Sequence, residues 1–317
     1  MTARHRQVLA LVLASVLLNA GALWWHFRGR PAVSPPPTAA APALRSIAAP
    51  AKSSDPAAEL RPAVADAVAR IPAGGWRERL DRVRSLPADL SAGEVDSLLA
   101  ALMEARPAEV SAALHSSFVH EVACVLQRQP AVRQRFAEAL ATIARDPRRD
   151  GVTRDYAIQH LRQIWDRAGD APALRESVVS TFREFAGLDP AVAASALLSL
   201  HLLGNGLEGG GSALHLPDAE FPPLLAPILA RGPAPANLPT RLTAARVVGE
   251  RRLGELRQPL LAILTNPAEH AMLRMAAANA LGKIADPADL AKLASYDPGD
   301  DRIATAIRHA LPPAPKR

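Results

Sequence analysis

The sequence is poor in cysteine and in aromatic residues, and both shortages narrow the possible folds. Its 317 residues include one cysteine, Cys124, which excludes an intramolecular disulfide and a zinc cluster built from several cysteines. Aromatic residues make up 4% of the chain, although 49% of all residues are hydrophobic. This balance disfavours an aromatic-rich β-sandwich and favours helices built from alanine and leucine.

Lysine is also scarce, since arginine supplies all but four of the 37 cationic residues. The net charge of +6 and the pI of about 10.2 are compatible with an acidic partner such as nucleic acid, anionic lipid or an acidic polymer. An excess of alanine, arginine, proline and glycine together is also what a GC-rich genome encodes throughout. We favour this compositional explanation of the charge.

The N-terminal segment predicts export. A short basic tail, residues 1–7, precedes an apolar stretch at residues 8–27, which as a helix is about 30 Å long and matches one hydrocarbon core. We interpret residues 8–27 as a single transmembrane signal-anchor. The alternative is a signal peptide cleaved near Ala22, which leaves a secreted protein. In both cases we expect the C-terminal domain to be periplasmic or otherwise extracytoplasmic.

The next segment, residues 28–72, is rich in proline and alanine, with eight prolines from Pro31 to Pro62. Such a composition offers little apolar surface to bury and predicts a flexible linker. From residue 73 to residue 311 the hydrophobic pattern is helical, and a disordered tail is expected at 312–317. No stretch has the sustained alternation of a β-strand, so the sequence predicts an all-α fold.

Two kinds of helix start are visible in this region. Ser91 with Glu94 forms a capping box ahead of an apolar run. Asp or Asn followed by proline recurs and predicts an N-cap with proline at the first helical position. These pairs are Asp146-Pro147, Asp189-Pro190, Asn266-Pro267, Asp286-Pro287 and Asp297-Pro298.

The helices repeat at regular intervals. A shift of 33 residues aligns TRLTAARVVGE (240–250) with LRMAAANALGK (273–283), so that Arg241 falls on Arg274 and two alanines fall on two alanines. A shift of 120 residues aligns Arg154 with Arg274 in the same way. The predicted organisation is an α-solenoid of about six antiparallel helix pairs.

The stretch LRMAAANALGKIADPADLAKL resembles a HEAT repeat of the short, bilin-lyase-type class, in which an alanine-rich helix ends in Leu-Gly-x-Ile and Asp-Pro begins the next unit. The resemblance is best over residues 240–290. It implies an α-solenoid that serves as a binding scaffold, built of repeats that bury their apolar faces by stacking on their neighbours.

The sequence predicts no metal site, no cofactor and no catalytic residue. His115 and His120 are five residues apart, a spacing that does not place them on one helix face. Some HEAT-like proteins bind iron through repeated His-Glu pairs, but this chain has one such pair, at residues 120–121. His160, His201 and His309 each look isolated. The glycine-rich segment 204–212 lacks the Lys-Ser/Thr of a phosphate loop.

A partner surface is predicted from the repeat register, because the residues that point away from the core of the second helix of each pair are equivalent. Leu198 and Leu202 lie in a helix that is apolar almost all round, and they are either buried under the 204–220 insertion or exposed as a docking patch. The predicted partner-binding residues are Gln159, Gln163, Leu198, Leu202, Arg246, Asn279 and Lys283.

A second surface is suggested by the excess of arginine in residues 231–257. Arg241, Arg251 and Arg252 are the candidate ligands for an anion there. A solvated helix face commonly has the same composition.

Taken together, the sequence predicts a membrane-tethered, extracytoplasmic HEAT-repeat scaffold that mediates protein–protein interaction and is not an enzyme. The expected partner is another protein of the cell envelope, and no nucleic acid is expected. The alternatives are a HEAT-like enzyme or cofactor-binding lyase-type protein, and a binder of anionic polymers through the 231–257 arginines.

Overall fold

A computed structural model of the chain describes residues 60–69, 75–169, 171–188, 190–203 and 216–311. This part contains fourteen α-helices, four short 3-10 helices and no β-strand, which confirms the predicted all-α class. The helices are α1 (Pro62–Val68), α2 (Trp76–Arg84), α3 (Ala92–Met103), α4 (Ala112–Leu126), α5 (Arg133–Arg145), α6 (Gly151–Asp166), α7 (Pro172–Leu188), α8 (Ala193–Leu202), α9 (Phe221–Leu229), α10 (Leu238–Arg251), α11 (Arg257–Thr265), α12 (Ala271–Ile284), α13 (Pro287–Ser295) and α14 (Asp301–Ala310).

Several predicted segments lie outside the described residues. They are the basic tail 1–7, the apolar stretch 8–27, residues 28–59 of the linker, the glycine-rich segment 204–212 and the tail 312–317. Among the helices of the described part, none is both long and apolar enough to cross a membrane.

The helices stack in two layers. We call the odd-numbered helices A helices and the even-numbered helices B helices. Each A helix packs against the B helix that follows it, giving seven pairs in the described part, where the sequence predicted about six. Successive B helices contact each other from α2 to α14, and successive A helices do so from α1 to α11. Helix α1 extends the array ahead of residue 73, where the sequence placed its start.

One apolar core lies between the layers and runs from Val64 to Ile307. The repeated alanine pairs of the B helices, Ala244–Ala245 and Ala277–Ala278, are fully buried. Their small side chains let neighbouring helices approach closely. The array is therefore consistent with the predicted α-solenoid.

The helix starts follow the sequence prediction in part. The capping box of α3 is present, since Glu94 N donates to Ser91 Oγ at 3.3 Å and Ser91 N donates to Glu94 Oε2 at 2.8 Å. Asp286 caps α13 as predicted, with Pro287 at the first helical position.

The other described Asx-Pro pairs were predicted as helix caps, and this was wrong. Asp146-Pro147, Asn266-Pro267 and Asp297-Pro298 lie in the loops between helices, and the caps are Asp150, His270 and Asp300, three or four residues later. In the first two loops the Asx carbonyl accepts from the backbone N–H three residues on, as in a β-turn with proline at its second position. An Asx-Pro pair can therefore begin either a β-turn in a loop or a helix.

Four buried arginines each tie one B helix to the end of the A helix before it. Each is the fourth residue of its B helix and donates to a carbonyl oxygen in the last turn of the A helix. The bonds are Arg79 Nε to Ala67 O at 3.0 Å, Arg154 Nε to Ala144 O at 2.8 Å, Arg241 Nη2 to Leu229 O at 3.1 Å and Arg274 Nε to Leu264 O at 2.9 Å. The final carbonyls of a helix have no partner within the helix, so these guanidinium groups act as C-caps.

In α4 and α8 the fourth residue is not arginine but His115 and Ala196. The preceding A helices are capped all the same, by arginines from further along the chain. Arg149 Nη2 donates to Met103 O at the end of α3 at 2.6 Å, and Arg231 Nη2 donates to Gly187 O in the last turn of α7. Every A helix from α1 to α11 therefore has an arginine on its terminal carbonyls.

The cap of α9 includes a buried ion pair, which gives a test of its energetic role. Arg241 donates to both carboxylate oxygens of Glu269 at 2.6 Å, and both side chains are almost fully buried. We expect Arg241→Met to lower the free energy of unfolding by about 3–5 kcal/mol, because it leaves the Glu269 carboxylate buried without its partner. Urea unfolding measures the loss.

The double variant Arg241→Met/Glu269→Leu separates this charge effect from lost packing. It should regain most of the stability, because no uncompensated charge remains. A double variant as unstable as Arg241→Met alone would contradict the assignment. Arg246→Ala, which removes a half-exposed arginine, should change stability by less than about 1 kcal/mol.

Glycine is required where the last B helices come closest. Gly249 and Gly282 are each the twelfth residue of their helix, α10 and α12. A Cβ added at Gly249 would lie 2.9 Å from the Cα of Ala280, and one added at Gly282 would lie 2.7 Å from the carbonyl oxygen of Ala310. Both contacts are with backbone of the next B helix, so a methyl group would force the helices apart.

Gly249→Ala should therefore destabilise the protein by about 1–3 kcal/mol, the usual effect of overpacking. This is opposite in sign to the gain of up to about 1 kcal/mol that alanine gives over glycine within a helix. Gly93→Ala in α3 is the matched control, since a methyl there meets no atom within 4 Å. Thermal unfolding should show the two variants shifted in opposite directions, and equal shifts would contradict the close-approach argument.

Candidate functional site

The predicted partner-binding residues all lie on four consecutive B helices, α6, α8, α10 and α12, which contact one another in that order. Their side chains are exposed or half-buried, in contrast to the buried residues that face the core. Exposed are Gln163, Arg246, Asn279 and Lys283, and half-buried are Gln159, Leu198 and Leu202. We call this set the B-helix surface.

At one end of the B-helix surface, α10 and α12 form an open cleft. Arg246, Asn279 and Lys283 line it together with Gly249, Ala276 and Ala280. The small residues form its floor, because Gly249 and Ala280 are the point of closest approach of the two helices. Arg246 is held by Glu250, with Nε donating to Oε1 at 2.7 Å, whereas no ion pair of Lys283 is present among the described residues.

At the other end, α6 and α8 are joined by a polar contact. Gln159 Nε2 donates to Asp155 Oδ2 at 2.7 Å, and the same carboxylate is hydrogen-bonded to Ser195 of α8. Burial raises the pKa of Asp155. Gln159 is therefore held in place, while the side chain of Gln163, one turn further, is exposed.

The two leucines of α8 lie between these polar ends. Leu198 and Leu202 are half-buried, whereas Leu197 and Leu200 of the same helix are fully buried. Helix α8 thus buries one face in the core and keeps part of two leucine side chains accessible. The segment that follows it, residues 204–215, lies outside the described part.

A network of hydrogen bonds and ion pairs joins α8 to α10 beside the leucines. Glu250 Oε2 accepts from His201 Nε2 at 2.7 Å, and Arg251 Nε donates to His201 Nδ1 at 3.1 Å. The hydrogen bond from His201, together with Arg246, lowers the pKa of Glu250 to about 2, although partial burial opposes this. Arg251 also donates to Asp218 at 2.6 Å and lies over the ring of Phe221. The network fixes the two helices relative to each other.

The candidate anion-binding arginines do not form a joint site. Arg241 was predicted as an anion ligand, and this was wrong, because its guanidinium is buried against Glu269 and the end of α9. Arg251 is only slightly exposed and is already engaged by His201 and Asp218. Arg252 is exposed at the C-cap of α10, in a left-handed conformation with φ of 55°. One exposed arginine remains of the predicted three.

His115 is a buried histidine at the position where other B helices carry the capping arginine. Neither ring nitrogen has a hydrogen-bond partner among the described residues, and the ring lies 5.8 Å from that of Trp76. Burial, aided by the positive charge of Arg149, lowers the pKa of His115 to about 4, against a smaller opposing effect of Asp150. His115 is therefore neutral at physiological pH.

Three further side chains meet at the contact between α4 and α6, although the sequence did not predict that they would. His120 and Cys124 lie one turn apart on α4, and Cys124 Sγ is 3.7 Å from His120 Nε2. His160 of α6 places its Nε2 3.1 Å from His120 Nδ1. One donor atom from each residue lies within 4.8 Å of the other two. We call these residues the His-Cys-His cluster.

The orientation of His160 in this cluster is fixed by Gln127. Gln127 Nε2 donates to the backbone carbonyl of His160 at 3.5 Å, which directs its Oε1 towards His160 Nδ1 at 2.9 Å. Nδ1 therefore carries the proton, and the lone pair of Nε2 points at His120. Burial, and then the neighbouring His120, lowers the pKa of His160 to about 3, and burial raises the pKa of the Cys124 thiol.

The prediction that His160 is isolated was wrong, and a signal for the cluster was present. His120 and Cys124 are four residues apart, a spacing that places them on one helix face. The repeat pattern also made α4 and α6 neighbours in the B layer. The spacing of His115 and His120 is uninformative here, because the histidine that His120 meets lies about one repeat later in the chain.

With this geometry in place, the chain can be compared with known proteins. Residues 222–312 match the family model of HEAT repeats. The matched HEAT region includes nearly all of α9 and the five helices after it, and it contains the predicted best stretch, 240–290. The resemblance to short HEAT-like repeats is thereby confirmed for this region.

The other comparisons add little. Human deoxyhypusine hydroxylase in complex with glycerol aligns at 21% identity over 78% of this chain and 93% of that chain, with a TM-score of 0.32. A TM-score this low does not establish a shared fold, so no functional conclusion follows from it. No curated protein matches the chain.

The depressed pKa of His115 predicts an acid-sensitive fold. Between pH 6.5 and pH 4 the unfolded chain protonates this histidine and the folded chain does not, so stability is full above the unfolded pKa and falls as the pH drops below it. We expect this group to lower the free energy of unfolding by about 2 kcal/mol between pH 7.5 and pH 5. Urea unfolding at both pH values measures it.

His115→Leu should remove that part of the pH dependence, because leucine does not titrate and is of similar size. His309→Gln, a change at an exposed histidine of α14, should leave the pH dependence as it is. An unaltered acid slope in His115→Leu would contradict the assignment.

Proposed function

We propose that this protein is a membrane-tethered, extracytoplasmic helical-repeat scaffold that binds another protein of the cell envelope and catalyses no reaction. The observation that carries the proposal is the B-helix surface, on which the half-buried leucines of α8 lie between polar residues of α6 and of α10 and α12. The HEAT match over residues 222–312 supports a repeat scaffold. The tether rests on the apolar stretch 8–27 and the proline-rich segment that follows it.

The arrangement of the B-helix surface resembles that of a protein–protein interface. Such interfaces combine a central apolar patch, which loses its water on binding, with a polar rim that fixes register. Leu198 and Leu202 supply the centre, and Gln163, Asn279 and Lys283 supply polar groups on either side. The hydrogen bond between His201 and Glu250 holds α8 and α10 in place, so the surface is largely pre-organised, which reduces the entropy lost on binding.

Binding of an anionic polymer through the 231–257 arginines is less well supported. Arg231 caps α7, Arg241 pairs with Glu269, Arg246 with Glu250, Arg251 with Asp218 and Arg257 with Asp289. Because these guanidinium groups already have partners, a phosphate or carboxylate would have to displace them.

The proposal is tested with Leu198→Asp/Leu202→Asp, which places two charges in the apolar centre of the surface. Native cells expressing the full chain with an affinity tag are crosslinked, and the recovered proteins are compared between wild type and variant. We expect one envelope protein to be recovered with the wild type and reduced at least tenfold with the variant, because the partner's apolar segment would have to bury two carboxylates.

The matched control is Gln258→Asp/Ala262→Asp, which adds the same groups at the same spacing to exposed positions of α11, an A helix. Circular dichroism must show both variants folded. Equal loss of the partner in both variants, or no loss in either, would remove the B-helix surface from the proposal. Recovery of no specific protein by the wild type would argue against a scaffold.

A further inference from the structure

The His-Cys-His cluster combines the three properties of a metal site: suitable donors, a suitable spacing and a support for the donors. We infer that His120, Cys124 and His160 bind one Zn²⁺ ion, through one nitrogen of each imidazole and the thiolate sulfur. Cys124 gives up its thiol proton to the solvent when the Zn–S bond forms. The fourth ligand is a water molecule.

The spacing of the donors is close to that of a tetrahedral zinc site. With Zn–N of about 2.0–2.1 Å and Zn–S of about 2.3 Å, two nitrogens lie about 3.3 Å apart and nitrogen and sulfur about 3.6 Å apart. The nitrogens of His120 and His160 are 3.1 Å apart, and His120 Nε2 is 3.7 Å from Cys124 Sγ. These two distances involve different nitrogens of His120, so a rotation of its half-buried side chain is needed to bring one nitrogen to the ion.

The orientation of the His160 ring also indicates a metal ligand. A histidine that binds a metal usually donates its other ring N–H to a fixed acceptor, which sets its tautomer. Gln127 provides that acceptor for His160 Nδ1 at 2.9 Å and is itself held by the His160 backbone carbonyl. The lone pair of Nε2 is thus directed at the cluster without further rearrangement.

The donor set selects the ion. Thiolate and imidazole ligands favour zinc and copper over magnesium, calcium and manganese, which prefer oxygen. The nearest carboxylate in the sequence, Glu121, accepts from Arg84 Nε at 2.9 Å and so is already occupied. Because His120 and Cys124 are half-buried and His160 is fully buried, the site opens to solvent on the α4 side, where the water ligand binds.

The test uses the full chain, purified and stripped with a chelator. It is titrated first with Co²⁺, which reports thiolate coordination through a sulfur-to-cobalt charge-transfer band, and then with Zn²⁺, which should displace the Co²⁺. We expect one equivalent of each ion to bind and the band to disappear on addition of Zn²⁺. Absence of the band in the wild type would overturn the proposal, as would stoichiometric binding of Cu(I) without binding of Zn²⁺.

Variants identify the ligands. Cys124→Ser, nearly isosteric at a half-buried position, should abolish the charge-transfer band and weaken Zn²⁺ binding at least tenfold. Gln127→Met should keep the band but weaken Zn²⁺ binding about 10- to 100-fold, as expected for a residue that orients a ligand. His309→Gln on α14 should match the wild type. Zn²⁺ affinity unchanged in Cys124→Ser would show that the ion binds elsewhere and would overturn the proposal.

A loss of binding through misfolding is distinguished by circular dichroism and thermal unfolding of the metal-free proteins. Zn²⁺ should raise the unfolding temperature of the wild type and not that of Cys124→Ser, since an ion stabilises only the state that binds it. If Cys124→Ser does not fold, the proposal is still tested by the Co²⁺ charge-transfer band of the wild type and by the Zn²⁺ affinity of Gln127→Met. If Gln127→Met bound Zn²⁺ as tightly as the wild type, this would contradict the role of Gln127 in orienting His160.

Discussion

The bond between a buried guanidinium and the last carbonyls of an A helix holds the two layers together. Those carbonyls lack partners within the helix, and the negative end of the helix dipole lies there. Arginine suits the position because its planar group donates several hydrogen bonds in fixed directions. Since every A helix from α1 to α11 is capped in this way, the end of each A helix is fixed on the start of its own B helix or, for α3 and α7, on a loop of the next pair.

Much of the fold could be predicted from the sequence, because it depends on local rules. Helical periodicity, the capping box at Ser91 and the alanine pairs of α10 and α12 were sufficient to predict stacked helix pairs. The repeat alignment even superposed Arg154, Arg241 and Arg274, which are three of the caps. Their role was missed because an arginine at a helix start is usually solvated, and an alignment shows that positions are equivalent without showing what surrounds them.

The functional surfaces were predicted unevenly, for a related reason. Repeat register indicates which residues of a B helix point away from the core, and three residues that it grouped, Arg246, Asn279 and Lys283, line one cleft. It does not indicate how two neighbouring helices are rotated about their own axes. The meeting of His120 with His160, forty residues apart in the chain, depends on that rotation, and so it became visible only in the structure.

The arginines that reach back from a later pair determine where the chain can be shortened. A chain cut after α4 would leave Met103 without the guanidinium of Arg149, and one cut after α8 would leave Gly187 without that of Arg231. A cut between α6 and α7 separates no capping arginine from its carbonyl. From α3 to α10 the smallest building block of this array is thus two helix pairs, and modules exchanged between such proteins would have to respect its boundaries.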